Sequence, residues 1–255
     1  MSIVVTELPD VGITVVSRWI FNCYVVHDGG DGRPLVVDPG LRSTTAAALE
    51  MLAQRGARRH VVVVATHGHA DHVGGLPTLA ACGGEVSLPV RIRDYVEGEQ
   101  PRSPGPRMVA KIAPVLSEQP RDLRSLTEVL RSQRHIGYDS RATRFEDPPD
   151  HWLTDGDEVP GAPDWLVLHT PGHTDDSTSL WNPRARVLLS GDAVLSIRGR
   201  AWFTPELVDP SIAVETEERL RPLDVGHLLP GHGRPVIGAS VMDHALSPGD
   251  RRRRL

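Results

Sequence analysis

Cysteine is nearly missing from this chain. Cys23 and Cys82 are its two, and they lie in different segments, so neither a disulfide framework nor a CxxC metal pair is available; both read as small core residues. No apolar run approaches the roughly 20 residues needed to span a bilayer, and no membrane association is expected. The opening MSIVVTELPDVG lacks a basic stretch followed by an apolar core and a small-residue cleavage site, so no signal peptide is read and the expected location is the cytoplasm. A basic excess is absent too, since the net charge is -5, which argues against a polyanion-binding surface. The one dense basic run, Arg251 to Arg254, falls in 247–255, which read as a disordered tail. What remains is the composition of a globular protein, read as one domain over residues 1–246 of the 255.

Against that background residues 66–75, THGHADHVGG, stand out. They follow the β-branched run VVVVA at 61–65, which reads as a strand buried on both faces, and Gly74 and Gly75 are turn residues. His67, His69, Asp71 and His72 put three imidazoles and a carboxylate at the end of that strand, a density that packing seldom needs and a transition metal does. The spacing is not that of two histidines four apart on a helix. His67 and His69 share one side of an extended segment while Asp71 and His72 point differently, an arrangement suited to two metals.

Before this loop, short strands at 3–5, 13–16, 22–27 and 35–37 form a meander, with DGGDGR at 28–33 as a hairpin connection and a helix at 44–55 closed by Gly56. A helix at 76–82 follows the loop. Residues 91–150 are rich in proline but carry apolar rows at near-helical spacing, Met108 to Leu116 and Leu123 to Leu130, so an inserted helical lid is expected there. Strands return at 165–169, 177–181 and 186–189, then a helix at 211–221 capped by Ser211, a strand at 227–229 and a last helix at 236–246.

Three further candidates each sit in a glycine-bearing turn after an apolar run: His173 in TPGHTDD, Asp192 in SGDAVL and His232 in PGHG. Strand, glycine turn and metal-binding side chain thus recur four times along the chain. In this combination of motifs the sequence resembles the metallo-β-lactamase superfamily, over nearly the whole chain apart from the insert and the tail. The resemblance implies an α/β fold, the αββα sandwich. It also implies that His67, His69 and His173 bind one divalent metal, that Asp71, His72 and His232 bind the other, and that Asp192 bridges them.

Zinc is the expected metal, with manganese or iron admissible because all the donors are nitrogen or oxygen. The implied chemistry is hydrolysis by a metal-bridging hydroxide that Asp71 orients. The stretches PGHTDDSTSL, SGDAVL and LLPGHG are most similar to the glyoxalase II-like and lactamase-β-2-like branch, so a small acyl substrate, a thioester, ester or lactone, is expected. After Asp192 the chain runs Ala193, Val194, Leu195, without the tyrosine that the resemblance to N-acyl homoserine lactonases would place there. The alternative is a ribonuclease Z-like phosphodiesterase acting on nucleic acid, for which the eleven Arg and Lys residues between Arg91 and Arg144 speak. A metal-stabilised binding protein without catalysis is the remaining class. Tyr95, Tyr138, Trp202 and Phe203 are candidates for the substrate pocket.

Overall fold

The computed structural model describes residues 3–57, 60–139 and 141–248, so residues 249–255 of the expected tail lie outside it. Strands β1 (Val4–Leu8), β2 (Ile13–Arg18), β3 (Phe21–Val26) and β4 (Leu35–Val37) form the antiparallel meander, and helix α1 (Arg42–Gln54) follows. Strand β5 (Val62–Val64) pairs in parallel with β4, and helices α2 (Ala70–Val73) and α3 (Leu76–Ala81) lead to β6 (Glu85–Pro89), parallel to β5. The segment expected as the insert then carries α4 (Arg91–Val96), α5 (Pro106–Val109), α6 (Ala113–Ser117), α7 (Leu123–Ser132) and a small hairpin of β7 (Gly137–Tyr138) and β8 (Thr143–Arg144). Strand β9 (His151–Leu153) returns the chain to the edge of β6. The first sheet has the order β1-β2-β3-β4-β5-β6-β9.

The second sheet uses β10 (Glu158–Val159), β11 (Ala162–His169), β12 (Thr178–Asn182), β13 (Val187–Gly191), β16 (His227–Pro230) and β17 (Val236–Ile237), in that spatial order. Between β13 and β16 come a separate hairpin, β14 (Val194–Ile197) with β15 (Arg200–Phe203), and helix α8 (Pro210–Leu220).

Side-chain alternation along these strands builds the layers. In β4 and β5, Leu35, Val37, Val62 and Val64 face the second sheet, while Val36 and Val63 face α1 and α3. In β12, β13 and β16, Leu180, Val187, Leu189 and Leu229 answer them across the interface, and Trp181, Leu188 and Leu228 turn to the layer that holds Leu220 of α8. Both sheets are apolar on both faces because each is covered twice, which is the expected αββα sandwich. Each fully buried Val or Leu contributes about 1.5–3 kcal/mol, so this double cover outweighs the weak helix signals of the short elements around it.

Several local expectations are corrected. Residues 236–246 form strand β17 and a single 3-10 turn at Val241–His244 rather than a helix, because Val236 and Ile237 pair with β16 and Gly238 breaks the run. Asp209, not Ser211, caps α8, its carboxylate accepting the N–H of Ser211 at 3.0 Å and of Ile212 at 3.2 Å. Cys23 is buried but Cys82 is exposed. Ser247, expected within the loose tail, is bound to α8 through the Arg221 guanidinium at 3.0 Å.

The segment between β6 and β9 is anchored at two places. Ile112, Val115, Leu116 and Val129 pack with Trp19, Ile20, Phe21, Ile197 and Trp202, whereas Leu123, Leu126 and Leu130 of α7 face solvent. Arg18, only 9% exposed, donates from Nε to Asp122 Oδ2 at 2.8 Å and from Nη1 to Ser43 Oγ at 3.0 Å, and it also pairs with Glu128. The Asp122 side chain caps α7 as well, accepting the Arg124 N–H at 3.0 Å.

Candidate metal centre

The ends of β5, β11, β13 and β16 meet along one edge of the sandwich, and their following turns carry the seven candidate residues. His67 and His69 lie on the extended stretch after β5. Asp71 and His72 lie on α2, a one-turn helix inside the motif that explains why they point away from the first pair. His173 follows β11, Asp192 follows β13 and His232 follows β16.

The ring atoms His67 Nε2 and His69 Nδ1 are 3.1 Å apart, and His69 Nδ1 and His173 Nε2 are 3.3 Å apart. Three nitrogens so close carry more lone pairs than protons can bridge, and a shared cation resolves that conflict. The second group is Asp71, His72 and His232, with His232 Nε2 at 3.3 Å from Asp71 Oδ2 and His72 Nε2 at 4.0 Å from it. Asp192 lies between the groups, its Oδ2 being 3.1 Å from His232 Nε2 and 3.5 Å from His173 Nε2, and its Oδ1 3.6 Å from His72 Nε2. Among the described residues, the buried atoms His72 Nε2 and Asp192 Oδ1 have no hydrogen-bond partner. Buried polar atoms left unpaired are costly, so this donor set fits metal ions.

Outer contacts fix the ring orientations. Thr66 Oγ1 donates to Asp38 Oδ2 at 2.9 Å, so it accepts from His67 Nδ1 at 3.2 Å and leaves His67 Nε2 as the bare donor atom. His173 Nδ1 donates to the Glu206 carbonyl at 2.9 Å, with the same result. Asp38 Oδ2 also lies 2.9 Å from His72 Nδ1, without hydrogen-bond alignment. Asp38 was not singled out from the sequence. Its signal was the DPG turn: a Cβ on Gly40 would sit 1.5 Å from the Asp71 carbonyl oxygen, so only glycine lets this turn back against α2. Gly231 is equally confined, since a Cβ there would fall 2.3 Å from Asp192 Oδ1 and 2.7 Å from His72 Cε1.

Burial and neighbouring histidines hold His67 well below its ordinary range and push His69 down to about 3, so both rings are neutral. Burial opposes ionisation of Asp71 and Asp192, but the surrounding histidines prevail and keep both carboxyls well below the usual carboxylate range. His69 and Asp71 are the partly exposed members of the set and mark the side open to solvent.

The four pocket candidates are relocated. Trp202 (1% exposed) and Phe203 (3%) belong to packed clusters behind the site. Tyr138 (1%) and Tyr95 (2%) are buried against each other with ring centroids 5.2 Å apart. Tyr138 instead braces the metal loop: its ring is 5.1 Å from that of His69, its N–H donates to the Gly68 carbonyl at 3.1 Å, and its hydroxyl donates to Asp176. Asp176, missed from sequence, also accepts the Gly68 N–H at 2.7 Å and is fully buried. Of the basic residues between 91 and 144, Arg91 pairs with Asp94 and Glu99, Arg102 with Asp175 and Asp209, and Arg144 with Asp139, which neutralises part of that surface.

A family model described as metallo-beta-lactamase superfamily matches residues 18–232. The probable metallo-hydrolase YflN of Bacillus subtilis (strain 168) is 26% identical over 89% of this chain and 86% of its own. Among solved structures, the metallo-beta-lactamase family protein TTHA1429 from Thermus thermophilus superposes with a TM-score of 0.56 at 21% identity, over 95% of this chain and 76% of that one. TTHA1623 in a di-iron-bound form does so with a TM-score of 0.53 at 23% identity, over 88% and 92%.

Proposed function

The chain belongs to the metallo-beta-lactamase superfamily, and on that premise we propose that it is a dinuclear metal-dependent hydrolase of acyl thioesters and esters. The observation that carries the reading is the convergence of five imidazoles and two carboxylates, with His72 Nε2 and Asp192 Oδ1 buried and without a hydrogen-bond partner among the described residues. His67, His69 and His173 would hold one cation and Asp71, His72 and His232 the other, with Asp192 placed between the two groups. When bound, two such divalent ions activate water and polarise a carbonyl. Zinc suits the donors, and the iron in TTHA1623 supports iron as an alternative.

The chain's own residues supply the rest. Asp71, ionised and at the open side, accepts a hydrogen bond from the attacking water and aims it. The relay from His67 through Thr66 to Asp38 keeps the His67 ring from turning. The Phe21 ring, 5.2 Å from that of His232, sets an apolar side chain against the site, and this supports an acyl group over a phosphodiester. Initial rates of metal-loaded protein on a medium-chain acyl thioester and on bis(p-nitrophenyl) phosphate, with His69→Ala as the blank, test the reading. Thioester turnover absent from the blank is expected; phosphodiester turnover alone would overturn it.

A further inference from the structure

A cleft of about 790 Å³ lies where the turn after His232, the end of β14 and α6 come together. One wall is the turn after His232, with Arg234 and Pro235. A second is the end of β14, which starts two residues after Asp192, with Ile197 and Arg198. The third is the end of α6, with Pro114 and Glu118. Arg234 is two residues from His232, so their Cα atoms are within about 7 Å.

Its lining mixes apolar residues, Ala113, Pro114, Ile197 and Pro235, with polar ones, among them two guanidiniums. Neither has a side-chain partner among the described residues. The acid of the cleft, Glu118, is engaged by the Arg198 backbone N–H. Unpaired arginines around a concave surface suit planar oxyanions, which they bind through two parallel hydrogen bonds.

Arg198 also occupies an unusual backbone position. With Gly199 it makes the two-residue turn of the β14–β15 hairpin, at φ 51° and φ 71°. Both central positions of such a turn need positive φ, which asparagine, aspartate or glycine adopts most easily. An arginine retained there gives up local stability for a charge directed at the cleft.

We propose that this cleft is a substrate subsite in which Arg198 and Arg234 grip a phosphate or carboxylate group of the acyl substrate. This rests on the acyl-hydrolase reading and narrows it to substrates that bear an oxyanion in addition to the scissile bond. A phosphate would come from the leaving group, as in a coenzyme thioester, and a carboxylate from a dicarboxylic acyl chain.

The test compares wild type with an Arg198→Gln/Arg234→Gln variant, both metal-loaded, on octanoyl-coenzyme A, octanoyl-N-acetylcysteamine and glutaryl-N-acetylcysteamine. Relative to the neutral octanoyl-N-acetylcysteamine, kcat/KM for an anionic substrate falls about ten-fold or more in the variant, mostly through KM, as expected for loss of charge-assisted bonds. A selective fall on the coenzyme thioester assigns the phosphate, and one on the glutaryl thioester assigns the carboxylate. Equal changes on all three substrates, or none, overturn the proposal. If wild type hydrolyses no thioester, the acyl reading fails separately. Calorimetric binding of inorganic pyrophosphate then decides the subsite: about ten-fold weaker binding by the variant upholds it, and equal binding removes it.

Discussion

Deleting a single hydroxyl, in Tyr138→Phe, measures how firmly the segment between β6 and β9 holds the metal loop. The substitution leaves the ring against His69 and the N–H bond to the Gly68 carbonyl, and it takes one donor from the buried Asp176 carboxylate, which keeps the Gly68 N–H at 2.7 Å. A hydrogen bond to a charged group is worth about 1.5–3 kcal/mol, and no water reaches this carboxylate to replace it. For a chain of this size about 2 kcal/mol lowers Tm by about 4–8 °C. Because Gly68 lies between His67 and His69, the same change loosens the three-histidine group, and metal affinity there falls about ten-fold, as when an outer partner of a metal site is lost. Thermal unfolding at fixed metal concentration reads the first effect and competition with a chromophoric chelator the second. A variant that melts with the wild type and binds both ions equally well would refute the idea that Tyr138 and Asp176 brace the loop.

Gly231→Ala forces a methyl to within 2.3 Å of Asp192 Oδ1, so elemental analysis should find one metal per chain instead of two while circular dichroism stays native; two metals with full activity would contradict this. For Asp122→Asn the sign follows from linkage: the Arg18 guanidinium holds the Asp122 carboxyl below its usual range, so the stabilisation is complete above the unfolded value of about 3.9 and fades as pH drops through the lower folded value. In urea unfolding with chelator present throughout, the variant is less stable by about 2 kcal/mol at pH 7, since Arg18 keeps Glu128 as a partner, and the gap narrows below about pH 4. A gap that is the same at both ends of that range counts against the ion pair as its source.

Where burial on two faces and turn chemistry agree, the sequence was readable. The runs at Leu35–Val37 and Val62–Val64 are apolar throughout and mostly β-branched, and they emerged as central strands, the second with the candidate metal loop at its end. All seven metal candidates came together because each is tied to a turn whose chemistry is local. Strand β6 was missed since Glu85 and Pro89 mask a short apolar core that only its parallel neighbours stabilise. The pocket aromatics failed for a related reason: Trp202 and Phe203 alternate with the polar ends of a hairpin, and sequence proximity to Asp192 does not reveal that both turn inward. Asp176 and Asp38 have no periodicity to betray them, for their importance comes from partners 38 to 108 residues away in the one case and 28 to 34 in the other.

The donors of the candidate centre are drawn from both sheets, with His67 at the end of β5 and His232 at the end of β16. Ions held by both ends would close a loop that takes in most of the second sheet, and closing so long a loop removes much of the unfolded chain's freedom, as a disulfide does. Unlike a disulfide, this tie opens when free metal runs low. The unfolded fraction would then rise by mass action and be exposed to proteases, so the amount of the protein itself, beyond its turnover, would follow the supply of metal.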